Sequence, residues 1–159
     1  SIFAFVLSTR QLICNLWKNK CRLKVIAYNY EFAETRKFFF LSVCICNMSS
    51  APVTVTKISI LDKSEVLHPC SLHHVWMGEQ HFPKFSETDI PRTERTLSAD
   101  FPLNFVGHES SLCHLAFKAE DSLTLFHELF FLKLKVETNK KTVYLRVYCP
   151  PESKSFLSV

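Results

Sequence analysis

The spacing of apolar positions changes period along the chain. Ile2, Phe5, Val6, Ile13, Leu16 and Trp17 recur near helical spacing, which predicts a helix over residues 2–18 with one apolar face. From Leu23 the pattern alternates instead. Leu23, Val25 and Ala27 stand opposite Lys24, Ile26 and Tyr28, the pattern of a first strand. Residues 37–47, KFFFLSVCICN, are apolar on both faces and predict a central buried strand, followed by the turn cluster NMSSAP at 47–52. In the next segment, VTVTKISIL, Val53 and Val55 have one parity and Ile58 and Ile60 the other. A β-bulge near Lys57 lets all four point inward, because one extra residue restores the facing.

Residues 65–72 read as a fourth strand, and Pro69, having no N–H for a ladder, puts it at a sheet edge. Between His73 and Arg95 apolar periodicity disappears, which predicts a long loop of the kind that is often functional. Residues 97–105 resume extended character around Pro102, Gly107 begins another turn, and residues 112–117 form a further strand. The clearest alternation closes the chain. Phe130, Leu132, Leu134 and Val136 alternate with Lys133, Lys135 and Glu137, then Val143, Leu145 and Val147 alternate with Tyr144, Arg146 and Tyr148. Asn139-Lys140 between them predicts a two-residue hairpin turn with Asn at positive φ. Cys149-Pro150-Pro151 ends the sheet, and the last eight residues read as a tail.

About seven or eight strands without βαβ alternation or internal repeat give a mainly β chain. The expected architecture is an antiparallel two-sheet β-sandwich preceded by one N-terminal helix. Immunoglobulin-like topology is the leading expectation, although jelly-roll and C2-like arrangements produce similar strand counts. The corresponding organisation is an N-terminal helix over 1–22, the end of a membrane anchor in one reading, a β-sandwich over 23–150 and a tail over 151–159. At 159 residues the sandwich buries enough surface to need no disulfide staple. Only two glycines occur, so Asn, Asp, Ser and Pro must make most turns.

Charge changes the picture once it is located. Arg10, Lys18, Lys20, Arg22 and Lys24 are five cations in a stretch with no acid, leaving 14 of the 19 basic residues to set against 15 acidic ones. The body is near neutral, which argues against a nucleic-acid-binding face. Trp17 followed by Lys18, Lys20, Arg22 and Lys24 is the pattern of an interfacial aromatic with flanking cations at the cytoplasmic exit of a membrane helix. The uninterrupted apolar run from Ile2 to Leu7 is far short of the roughly 20 residues needed to span a bilayer, so the segment reads as the end of a membrane helix or as an amphipathic helix packed on the sandwich. The first residue is Ser rather than Met, which suggests a start upstream.

The seven cysteines are an odd set, which favours free thiols in a reducing compartment over a secreted disulfide scaffold, with the sequon at Asn47 as the opposing sign. Cys70, His73 and His74, with Cys44 and Cys46, contain soft ligands but lack the paired spacings of structural zinc. Cys113 and His114 are sequence neighbours on a strand and so face opposite ways, unlike a thiolate–imidazolium pair. A bridge from Cys44 or Cys46 to Cys113 has a tolerable immunoglobulin spacing, but the accompanying Trp is missing. No nucleophile elbow, metalloprotease helix, phosphate loop or dinucleotide fingerprint occurs, so neither an enzyme nor a cofactor is expected.

Together the basic helix end, NMSSAPVTVTKISI at 47–60 and FPLNF at 101–105 resemble a loose group of small uncharacterised bacterial proteins. In these an N-terminal membrane helix precedes an Ig-like sandwich that ends in a hairpin like residues 136–147. The resemblance implies no activity, and this chain departs from the pattern in its short apolar run and in a final turn, Asn139-Lys140-Lys141, without glycine. The function expected is a non-enzymatic interaction or structural sandwich at a membrane. Its β-domain would be cytoplasmic, its partner an unidentified protein, and Trp17, Lys18, Lys20, Arg22 and Lys24 would meet an anionic membrane surface. The alternative is a soluble ligand- or host-interaction module that recognises its target through residues 73–95.

Overall fold

Strand β2 (Phe38–Asn47) has neighbours on both sides, as its two apolar faces require. In this computed structural model, which describes residues 2–18, 20–82, 92–121 and 123–151, it lies between β1 (Leu23–Ala33) and β8 (Ser110–Lys118) in an antiparallel sheet, sheet A. Its odd-numbered residues Phe39, Leu41, Val43 and Ile45 are wholly buried and face the second sheet. Sheet B has the order β11 (Thr142–Tyr148), β10 (Phe131–Thr138), β3 (Val53–Leu61), β4 (Leu67–Pro69). Two short strands extend it, β7 (Leu103–Phe105) against β3 and β9 (Phe126–Glu128) against β10. Leu115 and Phe117 from sheet A join Val53, Val55, Ile58, Ile60, Leu132, Leu134, Val136 and Val147 from sheet B in one core. The molecule is therefore a mainly β, two-sheet antiparallel sandwich with one N-terminal helix, α1 (Ile2–Lys18).

The parity slip in β3 is resolved by a bulge. Lys57 pairs with Glu137 and Val55 with Thr138, so Thr56 is the unpaired extra residue, and Val53, Val55, Ile58 and Ile60 are all buried. A second bulge explains why β1 is longer than its alternation predicts. Ala27 pairs with Val43 and Asn29 with Ser42, so Tyr28 is skipped, and Tyr30 and Phe32 now pack on the core from positions of the opposite parity. Pro69 stands at the sheet edge, as expected. Directly after it, Cys70 donates its N–H to Ile58 of sheet B and bridges Phe117 of sheet A, so the chain changes sheets there.

Two expectations are corrected. Residues 73–95 are not a plain loop: β5 (Trp76–Phe82) and β6 (Arg92–Leu97) pair as an antiparallel hairpin, with residues 83–91 outside the described ones. Met77 packs with Phe40 and Ala116 on the outer face of sheet A, and the Arg36 guanidinium lies between the Phe40 and Trp76 rings, 5.2 and 5.1 Å from their centroids. A two-stranded ribbon anchored at a few points needs no apolar stripe, so it leaves no alternation to read. In the closing hairpin, Asn139 does not adopt positive φ. The Thr138 hydroxyl accepts the amides of Lys140 and Lys141, while Asn139 is used across the sheet, its N–H donating to Thr54 and its Oδ1 accepting from the Thr54 N–H. The tail at 152–159 lies outside the described residues.

Because the bulge alone reconciles the two halves of β3, deleting Thr56 should turn Val53 and Val55 outward. Loss of two buried valines, at roughly 1.5–3 kcal/mol each, predicts a drop of about 3 kcal/mol or more in unfolding free energy by urea titration. Substituting Thr56→Ser, which keeps the bulge, should change it by less than about 1 kcal/mol.

Candidate functional site

Four residues separate the end of α1 from the start of β1, and the core begins within them: Cys21 is buried. Ladder pairing begins early too, since the Arg22 carbonyl accepts the Met48 N–H at 2.7 Å. This fixes the chain leaving α1 against the turn after β2. Asn47 organises that turn from a buried position, 1% exposed. Its Nδ2 donates to the carbonyls of Ala51 (2.8 Å) and Val106 (2.9 Å), and its Oδ1 accepts from the Ser49 N–H and hydroxyl. That uses both donors and both lone pairs of the amide.

The turn before β8 closes on the same place. His108 donates its N–H to the Ser49 carbonyl and takes a left-handed φ of 60°. Gly107 approaches so closely that a Cβ there would sit 2.1 Å from the Ser50 carbonyl oxygen. Between the two turns and the chain arriving from α1 lies a depression of about 170 Å³ lined by Lys20, Arg22, Met48, Ser49, Ser50 and His108. Of the residues read from sequence as membrane-proximal, the structure thus brings Lys20 and Arg22 together. Lys24 is elsewhere, paired with Cys46 on the outer face of sheet A. The Trp17 and Lys18 side chains lie outside what the structure describes. Met48, Ser50 and His108 carried no signal beyond belonging to turns.

The remaining chemistry is dispersed. Cys70 is buried in the core, whereas His73 is exposed beside Asp100 and the His74 ring meets the Ser98 carbonyl. Among the described residues no three His, Cys, Asp or Glu side chains gather as metal ligands would. Cys113 faces the core and Cys44 and Cys46 face outward, so no bridge joins them; all seven cysteines are free thiols. Burial pushes the Cys70 and Cys149 thiols up to about 12 and raises Cys113 as well, which makes them packing groups rather than nucleophiles. On the outer face Cys44 and Cys46 lie 3.6 Å apart through their sulfurs, and a hydrogen bond to Cys44 raises the Tyr28 phenol. His114 Nδ1 is 2.9 Å from the Ser42 hydroxyl. Ser42 is buried beneath it, and the His114 carbonyl accepts the Ala99 N–H, so the pair belongs to the packing under the hairpin.

At the far end, two hollows of about 340 and 410 Å³ flank β9 and share His127 and Glu128. Glu128 is ion-paired with Arg146, whose guanidinium lies 4.2 Å from the Phe131 ring centroid.

No family model and no curated protein sequence matches the chain. Among solved structures it is similar to the ApaA protein from Bordetella pertussis, at 12% identity and a TM-score of 0.35, over 84% of this chain and 97% of that one. It is also similar to a GH20 exo β-N-acetylglucosaminidase from Vibrio harveyi, at 8% identity and a TM-score of 0.29. There it covers 84% of this chain but 18% of the enzyme. Likenesses this distant carry no argument about function.

The close approach at Gly107 predicts that Gly107→Ala must displace the turn from Ser50. The cost should be about 1–3 kcal/mol by chemical denaturation, with amide exchange at 48–51 and 106–109 accelerated first. Burial lowers the His114 imidazole below its ordinary 6.5, so the unfolded chain binds that proton more readily than the folded one. This contribution to stability is present above pH 6.5 and is lost as pH falls through the folded value. Stability should therefore decline from pH 7 toward 5, less steeply in His114→Asn.

Proposed function

We propose that the chain is a non-enzymatic interaction domain held at a membrane by α1, with the sandwich on the cytoplasmic side. One observation carries this reading. Between Phe5 and Cys14 every residue of the helix except Thr9 is exposed, including Phe5 (72%), Val6, Leu7, Leu12 and Ile13. A water-soluble domain that displays so much apolar surface on one helix is expected to cover it, and a bilayer is the cover that the following cations suit. No helix among the described residues is long and apolar enough to cross a membrane, so α1 acts as an interfacial helix or as part of a longer element. The two antiparallel sheets behind a helix also support kinship with small bacterial proteins that join a membrane helix to an Ig-like sandwich. The partner is an unidentified protein.

The soluble reading has its own support in the β5–β6 hairpin. There Trp76 and Leu97 are cross-strand partners, both exposed, on a base fixed by Arg36. Cell fractionation separates the two. The full-length protein should stay with membranes through low-salt washes, and a membrane-impermeant maleimide should label the half-exposed Cys44 and Cys46 only after permeabilisation. Recovery wholly in the soluble fraction at low salt would eliminate the tether and leave the hairpin as the candidate recognition element.

A further inference from the structure

We propose that the end of the sandwich next to α1 is itself a docking surface for an anionic lipid bilayer, with Met48 and Val106 entering the interface and the cations of the same end meeting the headgroups. The proposal rests on the membrane reading above and assigns a role to residues outside the helix. It begins with topology. The turns at 48–52, 106–109 and 138–141 all close at the end where the chain arrives from α1. They are tied together. Asn47 bonds Val106, His108 bonds Ser49, Asn139 bonds Thr54, and the Thr54 hydroxyl donates to Asn104 at 2.8 Å beside the second turn.

The side chains presented there have a consistent character. Met48 and Val106, 54% and 65% exposed, are apolar residues at turn positions where the core makes no use of them. Lys20, Arg22 and His108 line a depression with Met48, and Lys140 and Lys141 belong to the third turn, which Asn139 and Thr54 tie to the strand before the second. Two acids share these turns: Glu109 accepts the Val106 N–H at 2.6 Å, and Glu137 pairs with Lys135 at 2.9 Å. With Lys20, Arg22, Lys140 and Lys141 set against Glu109 and Glu137, the turns carry apolar tips within a net positive charge, the combination that binds an anionic interface through buried area plus Coulomb attraction. The depression among Lys20, Arg22, Ser50 and His108 offers two cations and the exposed Ser50 hydroxyl to a headgroup phosphate, the Ser49 hydroxyl being engaged by Asn47.

Distance makes the contact hard to avoid. From Trp17 to Arg22 the chain can extend at most about 18 Å. Part of that reach is lost because Cys21 is already in the core and Arg22 is hydrogen-bonded to Met48. With Trp17 at the interface, Arg22 and the turn hydrogen-bonded to it through Met48 are held within that reach of the headgroups, where a surface potential with a Debye length of about 8 Å acts on their cations. Rigid turns held by Asn47 and Gly107 would then meet the membrane without an ordering cost of their own.

The test uses the full chain with vesicles of phosphatidylcholine alone and of phosphatidylcholine with phosphatidylglycerol, read by flotation and by amide hydrogen exchange. Flotation with both, and exchange at 48–51, 106–109 and 138–141 slowed several-fold only on the anionic vesicles, is the expected result. Flotation with both but unchanged exchange in those turns would overturn the docking surface and leave the tether standing. Flotation only with anionic vesicles, with the turns protected, would keep the docking surface and remove the tether. Flotation with neither would overturn both. The double variant Lys140→Gln, Lys141→Gln should weaken the anionic preference about 25-fold, at roughly fivefold per cation. Met48→Ser should lessen protection at 48–51. Unchanged exchange in β2 and β10 of either variant shows that its fold is intact; unchanged vesicle affinity in the double variant would count against the surface.

Discussion

The row Phe39, Leu41, Val43 and Ile45 on β2, pressed against Leu132, Leu134 and Val136 of β10 and the aliphatic residues of β3, is the contact from which the other features follow. All of these side chains are removed from water, so each strand that supplies them has its register set to the residue. The two bulges are consequences. β1 and β3 each carry one residue more than a regular strand can place, and skipping Tyr28 or Thr56 keeps the apolar row inside. Once both sheets are in register, their ends are fixed as well, and the turns that follow β2 and β7 must meet.

At that meeting, polar chemistry replaces packing. Asn47 is the last residue of β2 and is as buried as the core, yet its amide is satisfied on all four counts by the two turns. A buried amide so completely bonded is costly to disturb, because removing it strands carbonyl and N–H partners without water. Asp62 plays a similar part at the opposite end, where its carboxylate accepts from His68 and from the amides of Ser64 and Val66, which holds it below the ordinary carboxylate range. The sandwich thus has a fully bonded, buried polar side chain near each end, while the cluster of side chains between its sheets is apolar.

How much of this could be read from the chain depends on which residues face water. Strands with one apolar face, such as β10 and β11, and the doubly apolar β2, announce themselves, and even the bulge in β3 is visible as a parity slip between Val55 and Ile58. The β5–β6 hairpin is not visible, because Arg36 and Met77 attach it at points rather than along a face. The candidate site divides the same way. Lys20, Arg22 and Lys24 stand out as a charge run, but whether a side chain lines the depression or the sheet depends on where β1 begins, and Lys24 falls on the far side of that boundary. His108 and Ser50 join the site only through folding. Their proximity rests on hydrogen bonds between turns some 60 and more residues apart, such as the one from Asn47 to Val106, which leave no periodic trace.

Cys21, buried between the last turn of α1 and the first residue of β1, also has a mechanical meaning. A slack linker would let the helix be tugged or tilted without the sandwich registering it. From Cys21 onward there is no such slack, so a pull that arrives there reaches the β1–β2 ladder, whose antiparallel hydrogen bonds lie across the line of force and share the load in shear. A force delivered at Cys21 would therefore be shared along the length of β1 and move the sandwich as a whole, instead of peeling its first strand away one bond at a time.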